Sequence, residues 1–86
     1  MNPFELMLDK RVLKDLTHLA NETQNRILER LESLAQDPFA HGTIKLKGET
    51  AYRVRVSDYR IVFDVDTENR IITVLAVDHR SSIYKR

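Results

Sequence analysis

Two runs of alternating apolar and polar residues constrain the fold of this chain more than any other feature. Tyr52–Val56 alternates without exception, and Tyr59–Val65 keeps the same period with one interruption. A period of two places successive side chains on opposite faces of a β-strand. Because only Ser57-Asp58 separates the runs, a two-residue hairpin would place Arg55 opposite Arg60. The pattern therefore predicts a β-hairpin with one apolar and one polar face.

Residues 10–35 follow a different period, because their apolar positions recur every three or four residues. Asp9 is placed to cap a first helix that runs from about Lys10 to Ala20. Asn21 and Gln24 resemble a capping box that opens a second helix, and Asp37-Pro38 ends it. These two amphipathic segments predict a helical hairpin that needs an apolar surface to cover.

Three further apolar segments, at Phe4–Leu8, Ile44–Leu46 and Ile71–Val77, complete the expected sheet. Ile71–Val77 is apolar on both faces, as is typical of a strand inside a sheet, and Thr67-Glu68-Asn69 before it reads as a turn. The order is one strand, two helices, then three or four strands. We therefore expect an α+β domain in which the helices cover one face of an antiparallel sheet.

Composition restricts the chemistry that this chain can perform. Its 86 residues suit one domain spanning the whole chain, and the absence of cysteine excludes thiolate metal sites and cysteine nucleophiles. The three histidines, His18, His41 and His79, are too scattered to suggest a metal site. No apolar run approaches the ~18 residues of a membrane span, and the first residues carry an acid where a secretory signal carries basic residues. We expect a cytoplasmic protein without a cofactor.

The net charge of +1 conceals a local excess of positive charge. Between positions 44 and 60 five basic residues stand against two acidic ones; the basic residues are Lys45, Lys47, Arg53, Arg55 and Arg60. A basic patch on a nearly neutral domain favours an anionic partner that binds at one place.

In the predicted hairpin the three arginines would point away from the helices. Two like charges directly opposite each other destabilise a sheet by up to ~1 kcal/mol, so Arg55 opposite Arg60 is a cost that a purely structural sheet does not need. Solvated arginines whose stems cover apolar surface explain the same pattern, with Asp58 or Asp64 as neutralising partners. Alternatively, Arg53, Arg55 and Arg60 converge on a phosphate, with Lys45 and Lys47 extending the surface.

Several segments together resemble the RelE/ParE superfamily of bacterial toxin–antitoxin toxins, most closely its RelE branch. The resemblance covers almost the whole chain and rests on the order of the elements and on four motifs. These are Ile44-Lys-Leu-Lys-Gly48, Tyr52-Arg-Val-Arg-Val56, Asp58-Tyr-Arg-Ile-Val-Phe63 and His79-Arg80-x-x-Ile83-Tyr84.

The resemblance implies a RelE-like fold and an endoribonuclease that enters the ribosomal A site and cuts mRNA. It also implies a RelB-like antitoxin that covers the basic face, with operator DNA bound only through that antitoxin. The positions that match the family's active site are Lys45, Lys47, Arg53, Arg55, Arg60, Arg80 and Tyr84. In this enzyme class the ribose 2′-OH attacks the adjacent phosphodiester and leaves a 2′,3′-cyclic phosphate, without a metal ion.

The general base is where this chain departs from the family. The RelE branch often has lysines at the positions of Arg53 and Arg55, and arginine cannot act as a base because its pKa lies above ~12. The role would pass to Lys47, His79 or Tyr84. Two of these candidates have another explanation. His79 suits a surface position at a strand end, and Tyr84 suits either base stacking or core packing.

Two alternatives stay open. A ParE-like toxin shares the scaffold, lacks the nuclease residues and poisons DNA gyrase by binding it. An inactive homologue would serve only as the antitoxin's partner in repression. The arginines at lysine-type positions and the acid at Asp78, where the family commonly has glycine, keep this alternative open.

Overall fold

The computed structural model describes residues 3–40, 42–46, 48 and 50–79. Its elements, in chain order, are β1 (Glu5–Leu8), α1 (Lys10–Thr17), α2 (Asn21–Gln36), β2 (Ile44–Lys45), β3 (Tyr52–Val56), β4 (Tyr59–Asp66) and β5 (Ile71–His79). The predicted order of one strand, two helices and then three or four strands is confirmed, with four strands after the helices, and the fold is α+β.

One five-stranded sheet, in the order β1-β5-β4-β3-β2, contains every strand. Strand β3 pairs antiparallel with β2 and with β4, and β4 pairs antiparallel with β5. Strand β1, at the edge of the sheet opposite β2, pairs parallel with β5. The sheet is therefore mixed. Strand β5 lies between β1 and β4, as its apolar character on both faces predicted.

The core fills the space between the two helices and one face of the sheet. The helices contribute Val12, Leu16, Ile27, Leu31 and Leu34, and the sheet contributes Val54, Ile61, Phe63, Ile72, Val74 and Val77. Tyr52, Val56 and Tyr59 pack against this core, so the predicted inward face of the hairpin is confirmed in full. Of the described helices, none is long and apolar enough to cross a membrane.

Helix α1 begins as predicted and ends three residues earlier than predicted. The Asp9 carboxylate accepts a hydrogen bond from the Arg11 backbone N–H at 3.1 Å, as a capping residue does. At the other end the Lys14 carbonyl accepts from the Thr17 hydroxyl at 2.6 Å. The Leu16 carbonyl accepts from the Gln24 amide at 2.9 Å. The backbone N–H groups of His18 and Leu19 also donate to carbonyls three residues back, and the helix ends at Thr17.

The capping box predicted from Asn21 and Gln24 is not formed. Ala20 is the N-cap of α2 and makes no side-chain hydrogen bond. The Gln24 side chain, which a capping box would direct to the start of its own helix, instead donates to the end of α1. The same residue therefore ties the two helices together, while Asp37 ends α2 as predicted.

The turn between β4 and β5 lies at the predicted residues, and its hydrogen bonds lower the pKa of Asp66. Asp66 accepts hydrogen bonds from the Asn69 side-chain amide at 2.9 Å and from the Asn69 backbone N–H at 3.0 Å. Both bonds favour the ionised carboxylate, and the side-chain bond contributes most to lowering the pKa of Asp66. The turn fixes where β5 begins relative to β4.

Candidate functional site

The sheet face away from the helices presents the three arginines of the hairpin. Ser57, at a left-handed φ of 53°, closes the two-residue loop between β3 and β4. The resulting register places Arg53 opposite Val62 and Arg55 opposite Arg60, as predicted. Because directly opposed residues share a face, all three guanidiniums leave the sheet on one side. We call this the open face; its central residues are Arg53, Arg55, Arg60, Val62, Asp64 and Asp78.

A row of three charges crosses the middle of the open face. Arg55 lies directly opposite Arg60, and Arg60 lies directly opposite Asp78 on β5. The Arg55–Arg60 pair is a like-charge contact of the kind that weakens a sheet, whereas the Arg60–Asp78 pair is of the stabilising kind. Arg55 is exposed and Arg60 is half-buried. The acid at position 78 therefore lies beside the cationic cluster and reduces its net charge.

A β-bulge determines which residue of β5 faces Arg60. Val62 lies opposite Ala76 and Phe63 opposite Val74, so Leu75 is an extra residue in β5. In β5, the even-numbered residues Ile72 and Val74 face the core before the bulge, whereas the odd-numbered Val77 faces the core after it. Without the extra residue, Val77 would lie opposite Arg60 and Asp78 would face the core side. The bulge thus places an acid, rather than an apolar residue, beside Arg60.

An open pocket of about 480 Å³ lies beside β3 and contains an arginine that sequence reasoning missed. It is lined by Arg30 of α2, by Gly42 and Ile44 around the start of β2, and by Arg53, Val54 and Arg55 of β3. Arg30 stands three residues after Ile27 and four before Leu34, so it flanks the buried stripe of α2. That position beside the buried stripe is the sequence feature that could have marked Arg30 as a site residue, because a long side chain there can extend past the edge of the sheet.

Two predicted site residues lie on the other side of the sheet. Lys45 is opposite Tyr52, whose side chain packs on the core, so Lys45 does not extend the open face. His79 is opposite Tyr59, and the two rings meet edge to face with centroids 5.1 Å apart. The expectation that Lys45 extends the arginine surface is wrong, whereas the catalytic role suggested for His79 stays a prediction. Register places them on the face that the helices cover.

Three further predicted residues, Lys47, Arg80 and Tyr84, lie outside the described residues. Among the described residues, no group of three histidine, aspartate or glutamate side chains could hold a metal ion. The chemistry of the open face rests on guanidiniums, which donate hydrogen bonds, carry a permanent charge and accept no protons. Such a surface can bind and polarise an anion such as a phosphodiester, and the proton transfers must come from other groups.

Comparison with known proteins gives one consistent result. The family described as "ParE toxin of type II toxin-antitoxin system, parDE" matches residues 6–84. The Methanocaldococcus jannaschii toxin named RelE1 is 33% identical over 86 residues, covering 95% of this chain and 96% of its own. Toxin RelG of Mycobacterium tuberculosis is 28% identical over 98% of this chain and 99% of its own. Among solved structures, the archaeal RelE–RelB complex from Pyrococcus horikoshii superposes with a TM-score of 0.82 at 28% identity, covering 91% of this chain and 96% of that chain.

Proposed function

The chain belongs to the RelE/ParE superfamily and is a toxin of a type II toxin–antitoxin system, and we propose that it is a ribosome-dependent endoribonuclease. It would cleave mRNA in the A site and be neutralised in the cytoplasm by a RelB-like antitoxin. Operator DNA would be bound only through that antitoxin. The observation that carries the proposal is the placement of Arg55 directly opposite Arg60, with Arg53 on the same open face.

The like-charge pair supports an anionic ligand by an energetic argument. Two guanidiniums in register repel each other, and an anion between them converts that repulsion into attraction on both sides. A phosphodiester supplies oxygens that match the planar fork of arginine. During 2′-OH attack the phosphate gains negative charge, so preorganised cations stabilise the transition state more than the ground state.

The roles divide between clamps and proton carriers. Arg53, Arg55, Arg60 and Arg80 would hold the scissile phosphate and stabilise the developing charge. Lys47 and Tyr84 are the remaining candidates for the proton transfers, because both side chains can lose a proton. His79 is a weaker candidate for the proton transfers, because its ring would first have to leave its edge-to-face contact with Tyr59.

The proposal is tested by inducing the protein in cells without its antitoxin and mapping the ends of mRNA, with translation active or blocked. We expect cuts at fixed positions within codons of translated messages, and none when translation is blocked. Intact messages together with DNA breaks trapped on gyrase would instead establish a ParE-like activity. The match to the ParE-toxin family makes this the second candidate.

Asp78 provides a test of the inactive-homologue alternative, because it lies opposite Arg60. We expect Asp78→Asn to raise the cleavage rate about threefold, which corresponds to about 0.6 kcal/mol and lies within the range of exposed charge pairs. Asp64→Asn is the matched control, since Asp64 is on the same face but opposite Thr73. A lower rate for Asp78→Asn alone would show that the acid positions Arg60 rather than weakens the site. A wild-type protein without activity that gains none from the substitution would support the inactive homologue.

A further inference from the structure

The pocket beside β3 extends away from the row of charges that Arg55, Arg60 and Asp78 form on the open face. Its lining comes from α2, the start of β2, and β3, and includes no described residue of β4, which carries Arg60. In the sheet, β3 lies between β2 and β4. Arg53 and Arg55 therefore have Arg60 on one side and the pocket on the other. A ligand that reaches both places must extend across β3.

The lining of the pocket combines positive charge with apolar surface. Arg30, Arg53 and Arg55 supply three guanidiniums, and Ile44 and Val54 supply the apolar wall. At about 480 Å³ the pocket is larger than a single phosphate group requires and lies in the size range of small-molecule sites. A nucleotide of single-stranded RNA has both matching parts, since its phosphate binds guanidiniums and its base stacks on arginine planes and apolar side chains.

The backbone at Gly42 makes room for the Arg30 guanidinium. A Cβ atom at position 42 would lie 2.9 Å from Arg30 Nη2, so the guanidinium would have to shift away from its place beside the loop. Gly42 also has a φ of 98°, which side-chain-bearing residues rarely adopt. The loop before β2 thus passes close to Arg30 and leaves its head group at the wall of the pocket.

We infer that Arg30 binds the phosphate of the nucleotide next to the scissile linkage, an inference that rests on the proposed ribonuclease function. Arg53 and Arg55 line the pocket on the side where the scissile linkage would lie. Arg30 acts as a substrate-positioning residue: it holds the neighbouring phosphate so that the scissile one lies against Arg55 and Arg60. Removing it should weaken RNA binding and slow cleavage without altering the proton transfers.

The test compares Arg30→Gln with Arg26→Gln, which removes the same charge one turn earlier on α2, where Arg26 pairs with Glu22 at 3.1 Å. The probe is a five-nucleotide single-stranded RNA with 2′-O-methyl groups, so that it cannot be cut. We expect Arg30→Gln to bind about tenfold more weakly, the effect of losing one charge-assisted hydrogen bond. The slope of log K against log salt should fall by about 0.7, the value for one phosphate contact on a single strand. Arg26→Gln should change neither quantity.

A second measurement observes the pocket directly. In the full chain, the ¹H–¹⁵N signal of Arg30 Nε should shift on addition of this RNA, and the Arg26 signal should not. Equal effects of the two substitutions, or an Arg30 signal that does not move, would overturn the inference. If wild-type protein binds the RNA as expected yet never cuts translated mRNA, the proposed function fails while the pocket assignment stands. If it cuts and Arg30→Gln behaves like wild type, the pocket assignment fails alone.

Discussion

Replacing Arg60 with alanine is expected to abolish growth arrest and to lower the rate of mRNA cleavage at least about 100-fold. Arg60 lies between Arg55 and Asp78 in the centre of the open face, so its guanidinium is the one most surrounded by the other charges of the site. Loss of a single preorganised donor to a transition-state oxyanion typically lowers turnover by about 10²–10³. The measurement is the single-turnover cleavage rate on ribosomes that hold a defined codon in the A site.

Arg26→Ala is the control for this prediction, because Arg26 is an exposed arginine on α2 whose mapped hydrogen bonds are to Glu22 and Ser57. Both variants should still bind the antitoxin, which shows that they are folded. If Arg60→Ala were as toxic as the wild type, the proposal that Arg60 holds the scissile phosphate would be wrong. A similar loss in Arg26→Ala would attribute the effect to overall charge instead.

Replacing Phe63 with alanine is expected to lower the free energy of unfolding by about 3–5 kcal/mol, as for other buried phenylalanines. Phe63 is fully buried and stacks on Tyr52 with ring centroids 6.0 Å apart. Since small domains are stable by only about 5–15 kcal/mol, the loss would leave the hairpin and its arginines poorly held. Urea denaturation followed by circular dichroism measures this loss. We expect a lower midpoint concentration of urea and a nearly unchanged dependence of the free energy of unfolding on urea.

Phe39 is a close control, because its ring contacts the same tyrosine. Its ring meets Tyr52 edge to face at 5.3 Å, yet 49% of the residue is exposed. Phe39→Ala should therefore cost no more than about 1.5 kcal/mol, the upper end for an aromatic pair. Equal losses from the two substitutions would contradict the description of the core, in which burial of Phe63 is the larger contribution.

The parts of the structure that local patterns control were predictable from the sequence. A two-residue loop leaves only one register for the hairpin, so the pairing of Arg55 with Arg60 and the identity of the buried face followed from the alternation. The helices were likewise visible in their apolar stripes. The end of α1 was not, because one of its last carbonyls bonds to Gln24, which lies beyond that helix and could equally have capped its own.

The parts that depend on pairing between distant segments could not be read from the sequence. Strand β2 has only two residues, too few for alternation to show that Lys45 would lie on the far side from Arg53. Every residue from 71 to 77 except Thr73 is apolar, so no pattern marks Leu75 as the extra residue. That bulge decides the faces of Asp78 and His79. Arg30 joins the site only through the packing of α2 beside β3.

The central claim is that guanidiniums on one open sheet face hold a single RNA linkage during attack by its own 2′-OH. It is tested most directly with purified protein and ribosomes that carry an mRNA with one 2′-deoxynucleotide at the expected cut in the A site. We predict that the all-ribose message is cut there and ends in a 2′,3′-cyclic phosphate, while the message with the single 2′-deoxynucleotide stays intact. Cleavage of both messages at the same bond, or of neither at saturating protein, would contradict the account.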